Sequence, residues 1–152
     1  CFVISDLRDS TGALEYGVIK GNLSEISRMS DLEDKVKGID PLEIAISVQQ
    51  ESQCPVLMTL GEAGMLFQDH EQAHRVAGIP LQGPLDITGA GDACLAAFSA
   101  CMGIKTSVPV AIYIANLAAA ISVQKLRETG SASPEEIQNL SKKHPFLFIK
   151  ED

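Results

Sequence analysis

The sequence lacks an excess of basic residues. Its 12 lysines and arginines stand against 20 aspartates and glutamates, which gives a formal net charge of −8 at pH 7. No basic stripe interrupts this acidity. Because nucleic acids and anionic membrane surfaces are bound mainly by clustered lysines and arginines, we expect neither kind of partner.

Cysteine motifs are missing as well. The four cysteines include no CxxC pair and have no accompanying histidine pair, so their spacing indicates no metal site. Cys94 and Cys101 fall on one predicted helix, about 10 Å apart along its axis, and this separation is too large for an undistorted disulfide. Cys1 and Cys54 have no paired spacing either. We therefore expect free thiols in a reducing, cytoplasmic compartment.

Long apolar segments are also absent. We predict no secretory signal at the start of the sequence. The longest uncharged stretch spans residues 106–124, and Pro109, Asn116 and Gln124 lie within it. Its purely apolar part is short for a membrane-spanning helix, so we predict a buried helix at this place.

The sequence does contain an alternation of short apolar strands and helices. The strands are predicted over residues 1–7, 17–22, 54–69 (with a turn inside) and 71–78, and the helices over residues 24–29, 40–52, 90–102, 107–126 and 133–143. Ser24, Asp40 and Ser133 are the predicted N-caps. With 152 residues and no linker or repeat, this order predicts one α/β domain, a mainly parallel sheet flanked by helices. A first residue other than Met, inside a strand, predicts a piece of a longer protein.

The stretch DITGAGDACLAAF, residues 86–98, places a glycine-rich bend before a helix of small apolar residues. Such a bend presents backbone N–H groups at the positive end of the helix dipole, an arrangement that binds phosphate. A carboxylate at that place, Asp92, would repel phosphate, but as a general base it could take the proton of an attacking hydroxyl. The alternative is that Asp92 only caps the helix.

Residues 86–98 resemble the C-terminal signature of the ribokinase/pfkB family of carbohydrate kinases. In the same order as in that family, IKGNLSEI (19–26) resembles its Asn-x-x-Glu motif, and VLMTLGEAGMLF (56–67) resembles its nucleotide-side strand and turn. Residues 115–137 resemble its closing region, most of all that of bacterial heptose-7-phosphate kinases. The resemblance covers nearly the whole chain. It implies a ribokinase-like fold and a chain that forms only the C-terminal, nucleotide-binding half, without the N-terminal sugar-binding half and lid.

The resemblance also implies an activity, the transfer of the γ-phosphate of ATP to a sugar or sugar-phosphate hydroxyl, with Mg²⁺ as cofactor and Asp92 as catalytic base. Asn22 and Glu25 would hold the Mg²⁺ through phosphate or water. Asp86 and Thr88 stand where some members place part of a cage for a monovalent cation, K⁺. The residues that would bind the nucleotide are Thr59, Gly61, Gly64, Gly89, Ala90, Gly91 and Asn116.

Several of these residues also have a purely structural interpretation. Asn22 and Glu25 could form a turn with a capping box, and Gly61 and Gly64 could form only a hairpin turn. Asn116 could satisfy a neighbouring backbone group inside an apolar helix. Each interpretation predicts a hydrogen bond or a backbone conformation that the structure can test.

For the chain as a whole, three functional readings stay open. The first is a fragment of a sugar kinase, inactive when isolated and a homodimer in its full-length parent if it follows relatives that dimerise through the lid. The second is a non-catalytic nucleotide-binding or regulatory module. The third is a vitamin-precursor kinase of the same superfamily, against which Asp92 counts, because those enzymes tend to carry Cys at the base position.

Overall fold

The computed structural model describes residues 4–6, 17–30, 38–126, 131–145 and 148–149. The strands are β1 (Ile4–Asp6), β2 (Val18–Asn22), β3 (Val56–Thr59), β4 (Met65–Gln68), β5 (Ala73–Val76) and β6 (Phe148–Ile149). The helices are α1 (Leu23–Ser27), α2 (Pro41–Ser52), α3 (Ala90–Gly103), α4 (Val108–Ser122) and α5 (Pro134–Lys143), and a 3₁₀ turn at Gly61–Ala63 joins β3 to β4. The strand predicted over residues 1–7 is therefore described only at its centre.

The six strands form one sheet in sequence order. β1, β2 and β3 pair in parallel, whereas β3 with β4, β4 with β5 and β5 with β6 pair in antiparallel. The predicted α/β class is confirmed, but the sheet is mixed rather than mainly parallel, since three of its five described pairings are antiparallel. For two of these three antiparallel pairings, β3 with β4 and β4 with β5, the reason is the length of the connection. The short turns after β3 and β4 permit only hairpins, while a parallel neighbour needs a longer crossover such as the one through α2.

Helices cover both faces of the sheet. Successive side chains of a strand point to opposite faces, and accordingly Leu57 belongs to one apolar core while Val56 and Met58 belong to another. The core around Leu57 is completed by α3 and α4, and the core around Val56 by α1 and α2. This arrangement leaves the ends of the strands, where the connecting loops emerge, as the place for a site.

Two of the three predicted helix N-caps are confirmed by the structure. Asp40 and Ser133 are the N-caps of α2 and α5, as predicted. The prediction of Ser24 as an N-cap is wrong, because α1 begins one residue before it and Asn22 takes that position. The reciprocal hydrogen bonds of a capping box between Asn22 and Glu25 satisfy two backbone N–H groups, which a cap at Ser24 would leave unpaired.

The cysteines and the apolar helix also agree with the sequence. Cys54, Cys94 and Cys101 are buried free thiols, and burial raises the pKa of Cys101. Cys1 lies outside the described residues. The predicted buried helix is α4, which is 15 residues long and mostly buried. In the described part of the chain, no helix has both the length and the apolarity to cross a bilayer.

An ion pair connects α5 to the residues that follow α4. It predicts that the stability of the fold depends on pH. Lys125 Nζ lies 2.8 Å from Glu136 Oε1, and the backbone N–H of Ser133 donates to Glu136 Oε2 at 2.8 Å. The ammonium and then this N–H lower the pKa of Glu136 from 4.5 to about 2. Because the folded-state pKa lies below the unfolded one, the stabilisation is present above about pH 4.5 and is lost as the pH falls toward 2.

Glu136→Gln is therefore expected to lower the melting temperature at pH 7, and to lower it clearly less at pH 3. Thermal unfolding followed by circular dichroism at the two pH values measures this difference. Glu135→Gln, which removes a neighbouring carboxylate of the same helix turn, is the control and should show little effect at either pH. An equal loss for Glu136→Gln at both pH values would contradict the role of the ion pair.

Candidate functional site

One register row brings the ends of four strands to the same edge of the sheet. Asn22 at the end of β2 pairs with Thr59 at the end of β3. Thr59 in turn pairs with Met65 at the start of β4, and Met65 with Val76 at the end of β5. We call this row the site edge. In open α/β sheets ligands bind at the carboxyl ends of the parallel strands, which is where the site edge lies.

A cavity of about 760 Å³ opens at the site edge. This volume is within the range of roughly 300–1,000 Å³ that is usual for small-molecule sites. The predicted catalytic, nucleotide-binding and magnesium residues all line it: Asn22, Glu25, Thr59, Gly61, Gly64, Gly89, Ala90, Gly91, Asp92 and Asn116. The structure thus brings these residues together, while their chemical roles stay predictions.

The glycine-rich bend leads directly into α3. Gly89 is the N-cap, in the left-handed region with φ of +80°, which glycine adopts without strain. Asp92 is the third residue of the helix, so the alternative in which Asp92 is the N-cap is wrong. The backbone N–H of Ala90 already donates to the carbonyl of Ile87 at 3.2 Å. An anion at this helix end would therefore be bound by the next N–H groups, that of Gly91 first among them.

Asp86 and Thr88 shape the entry to the bend. The backbone N–H of Thr88 donates to Asp86 Oδ1 at 3.0 Å, and the N–H of Asp86 donates to the carbonyl of Val123 at the end of α4, at 2.8 Å. Neither Asp86 nor Thr88 belongs to the described lining of the cavity. Their predicted part in a K⁺ cage stays a prediction.

The Asn22–Glu25 capping box is present, and it orients a carboxylate at the cavity. The N–H of Glu25 donates to Asn22 Oδ1 at 3.0 Å, and the N–H of Asn22 donates to Glu25 Oε2 at 2.7 Å. Glu25 lies in the first turn of α1, directly after the end of β2, rather than on the strand itself. The structural alternative is thus observed, and both side chains also line the cavity.

The donor set of the cavity fits a hard metal ion such as Mg²⁺. Among the residues that the structure describes, no group of three or more His, Cys, Asp and Glu side chains could enclose a metal. Mg²⁺ keeps several of its waters and is commonly bound through one or two carboxylates and substrate phosphates. The carboxylates of Glu25 and Asp92, which line one cavity, fit that mode of binding and not a cage made only of protein.

The backbone of the turn between β3 and β4 closely approaches the backbone of the loop after β5. Gly64 has φ of +98°, and a Cβ there would lie 2.1 Å from the carbonyl oxygen of Val76. A Cβ on Gly78 would lie 2.0 Å from the carbonyl oxygen of Glu62. The hairpin-turn alternative for Gly61 and Gly64 is therefore observed, and the close contact fixes this wall of the cavity.

Two polar side chains of the cavity hold backbone in place. Asn116 on α4 is 5% exposed, and its Nδ2 donates to the carbonyl of Ala77 at 2.8 Å. The hydroxyl of Thr59 donates to the carbonyl of Gly21 at 3.5 Å. The alternative in which Asn116 satisfies a backbone group is thus observed. The bond ties the loop after β5 to α4 beside the cavity.

Several residues of the lining were not predicted from the sequence. Lys20 on β2 lines the cavity although it is only 5% exposed, and a Cβ on Gly91 would lie 3.0 Å from its Nζ. The signal was a lysine that directly follows the apolar residues Val18 and Ile19 of β2. The loop after β5 adds further lining residues, whose signal was a set of large apolar side chains in a Pro- and Gly-rich loop: Gly78, Ile79, Pro80, Leu81, Leu85 and Ile87.

Comparison with known proteins identifies a family to which this chain is similar. A family model described as pfkB family carbohydrate kinase matches residues 15–136. The bifunctional protein HldE of Campylobacter fetus subsp. fetus is 40% identical over 87 residues, which are 57% of this chain and 18% of that protein. The chain thus matches less than a fifth of the length of this curated relative.

Two solved structures have the same arrangement of strands and helices. The ribokinase of Arabidopsis thaliana complexed with ribose and ATP superposes with a TM-score of 0.76 at 22% identity, over 93% of this chain and 47% of that one. The ribokinase of Thermotoga maritima superposes with a TM-score of 0.71 at 22% identity, over 82% of this chain and 42% of that one. In both, the match spans less than half of the ribokinase.

Proposed function

The chain belongs to the pfkB family of carbohydrate kinases and has the ribokinase-like fold, and on this basis we propose that it is the nucleotide-binding half of an ATP-dependent sugar kinase. The observation that carries the proposal is the shared cavity, where Asp92 and Glu25 lie with the N-terminus of α3. The ribokinase of Arabidopsis thaliana, complexed with ribose and ATP, supports ATP as the donor and a sugar as the acceptor. The resemblance of residues 115–137 to heptose-7-phosphate kinases makes a heptose phosphate the first acceptor to test.

In the proposed reaction Asp92 takes the proton from a hydroxyl of the sugar. The hydroxyl oxygen then forms a bond to the γ-phosphorus of ATP, and the bond from that phosphorus to the bridging oxygen of ADP breaks. Charge that develops on the transferred phosphoryl group is stabilised by backbone N–H groups in the first turn of α3, including that of Gly91. Asp92 is in the same helix turn, so base and donors are held by one rigid element.

Glu25 is the residue that we propose to hold Mg²⁺ through water. Its carboxylate is oriented by the N–H of Asn22, so no reorientation is needed when the nucleotide arrives. Mg²⁺ supplies charge neutralisation of the phosphates when bound. Asn22 acts here through Glu25, since its own Oδ1 accepts the Glu25 N–H.

Nucleotide binding by the 152-residue chain tests this function. We expect the chain to bind ATP or ADP weakly, by isothermal titration calorimetry in Mg²⁺ buffer, and to phosphorylate no sugar. The missing sugar half would otherwise orient the acceptor and exclude water. Gly61→Trp should abolish binding by filling the cavity. Gly38→Trp is the matched control, because Gly38 also has a positive φ and open space but does not line the cavity.

Each part of the proposal can fail separately. Absence of binding for both nucleotides, or equal binding by the two tryptophan variants, would contradict the nucleotide site. Robust sugar-dependent ADP production by the chain alone would contradict its being only half of the enzyme. A longer protein that binds nucleotide but shows no sugar-dependent turnover would support the non-catalytic module instead.

A further inference from the structure

The loop after β5, residues 77–87, forms neither helix nor strand, yet several of its residues line the cavity. Hydrogen bonds to α4 and its C-cap hold this loop near both of its ends. At the start of the loop, the carbonyl of Ala77 accepts from Asn116 Nδ2 at 2.8 Å. Near its end, the N–H of Asp86 donates to the carbonyl of Val123 at 2.8 Å. Because the loop has no ladder of its own, its position depends on such contacts.

The first of these two contacts is made by a buried amide. Asn116 is 5% exposed, and its bond joins α4 to a carbonyl 39 residues earlier in the chain. Burying an amide is unfavourable unless it is hydrogen-bonded. The bond to Ala77 therefore satisfies Asn116 and fixes the start of the loop at the same time.

The residue that follows Ala77 lies against the turn between β3 and β4. A Cβ on Gly64 would lie 2.6 Å from the backbone nitrogen of Gly78, and a Cβ on Gly78 would lie 3.1 Å from the backbone nitrogen of Gly64. The approach is thus reciprocal, and the backbone at each glycine limits where the backbone at the other can lie. A displacement of the loop at Ala77 would therefore also displace the turn.

We propose that Asn116 is a positioning residue for the nucleotide. Its bond to Ala77 fixes the loop, and the contact between Gly78 and Gly64 extends this effect to the turn. Both walls of the cavity are then ordered before the nucleotide arrives, so that binding does not have to order them. This inference rests on the proposed function, because it needs a nucleotide in the cavity. It differs from the direct contact with the nucleotide that the family resemblance implies for Asn116.

Amide hydrogen exchange of the full chain without nucleotide, followed by NMR, tests the positioning itself. Asn116→Leu keeps the approximate size of the side chain and removes the donor. We expect the N–H groups of Leu60 and Gly64, which bond within the turn, to exchange about threefold faster or more in this variant. Tyr113→Phe is the matched control, because it also removes a buried α4 donor to a distant carbonyl, that of His144, but away from the cavity. It should leave both rates unchanged.

Calorimetry with MgATP tests the consequence for binding. Asn116→Leu should lose about three- to tenfold in affinity, the size of one neutral hydrogen bond, and Tyr113→Phe should bind as the wild type does. A loss of affinity with unchanged exchange at Leu60 and Gly64 would overturn the proposal in favour of a direct contact.

Three other results would also overturn the proposal while the nucleotide site stands. They are faster exchange with unchanged affinity, faster exchange confined to the loop, and equal effects of Asn116→Leu and Tyr113→Phe. A wild type that binds neither ATP nor ADP would instead overturn the proposed function, and this inference with it.

A second variant, Asn116→Ser, covers a failure of Asn116→Leu to fold, detected as a loss of cooperative melting. The side chain that it introduces is shorter than that of asparagine, and its hydroxyl readily bonds to a carbonyl of its own helix. The bond to Ala77 is therefore lost here too, and we expect the same faster exchange and weaker binding. Wild-type exchange and affinity in Asn116→Ser would overturn the proposal.

Discussion

Replacing Asp92 by Asn in the longer protein that the proposed function implies is expected to lower kcat by roughly 10²-fold or more, the usual contribution of a positioned general base. The amide keeps the size of the side chain but cannot accept the proton of the acceptor hydroxyl. The affinity for ATP should change little or increase, because one negative charge near the phosphates is removed. Steady-state kcat with saturating MgATP and sugar phosphate, together with the Kd for ATP, measures both effects.

The structure supplies a matched control for this experiment. Glu62 is another carboxylate of the cavity lining, exposed and without an assigned chemical role, so Glu62→Gln should leave kcat near the wild-type value. If Asp92 only interacted with the dipole of α3, it would contribute less than about 1 kcal/mol to the stability of the fold and would not affect kcat. Full activity of Asp92→Asn would remove the base from the mechanism.

Replacing Gly64 by Ala is expected to cost about 3 kcal/mol or more in the free energy of unfolding. The new Cβ would overlap the carbonyl oxygen of Val76 and the backbone nitrogen of Gly78, at 2.1 and 2.6 Å, and φ of +98° is strained for any residue with a side chain. Backbone atoms on both sides cannot move away as a flexible side chain would. Urea denaturation followed by circular dichroism gives the change in free energy.

Alanine substitutions at two other glycines distinguish the cost of the atomic overlap from the cost of the backbone strain. Gly61→Ala keeps a positive φ but meets open space, so it should cost only about 1–2 kcal/mol. Gly103→Ala meets open space at the end of α3 without a positive φ, and should be neutral or slightly stabilising. Equal costs for Gly64→Ala and Gly61→Ala would contradict the expected cost of the overlap at Gly64.

Features that depend on a few neighbouring residues were predictable from the sequence. Asp40 and Ser133 were identified as N-caps because each is followed at once by Pro and an amphipathic helix. The start of α3 was predicted correctly at residue 90, since a glycine such as Gly89 favours a break in the backbone before a run of small apolar residues. These are local effects of backbone freedom and hydrogen bonding.

Features that depend on distant parts of the chain were not predictable. Lys20 on β2 approaches Gly91 on α3, which is far away in the sequence. No local sequence pattern indicates that Gly91 leaves room for the side chain of Lys20. In the same way, Gly78 is required by the carbonyl of Glu62 across two strands. A cavity is made of such tertiary contacts.

The mixed pairing of the sheet has a consequence for the order in which the molecule folds. β3, β4 and β5 are joined by short turns, whereas β2 reaches β3 only after the crossover through α2. Closing a longer loop costs more entropy and slows the pairing of its ends. We therefore expect the antiparallel strands to associate first and the pairing of Asn22 with Thr59 to come late. Until it forms, β3 presents an unpaired edge, the kind of surface on which two unfinished chains can join and aggregate.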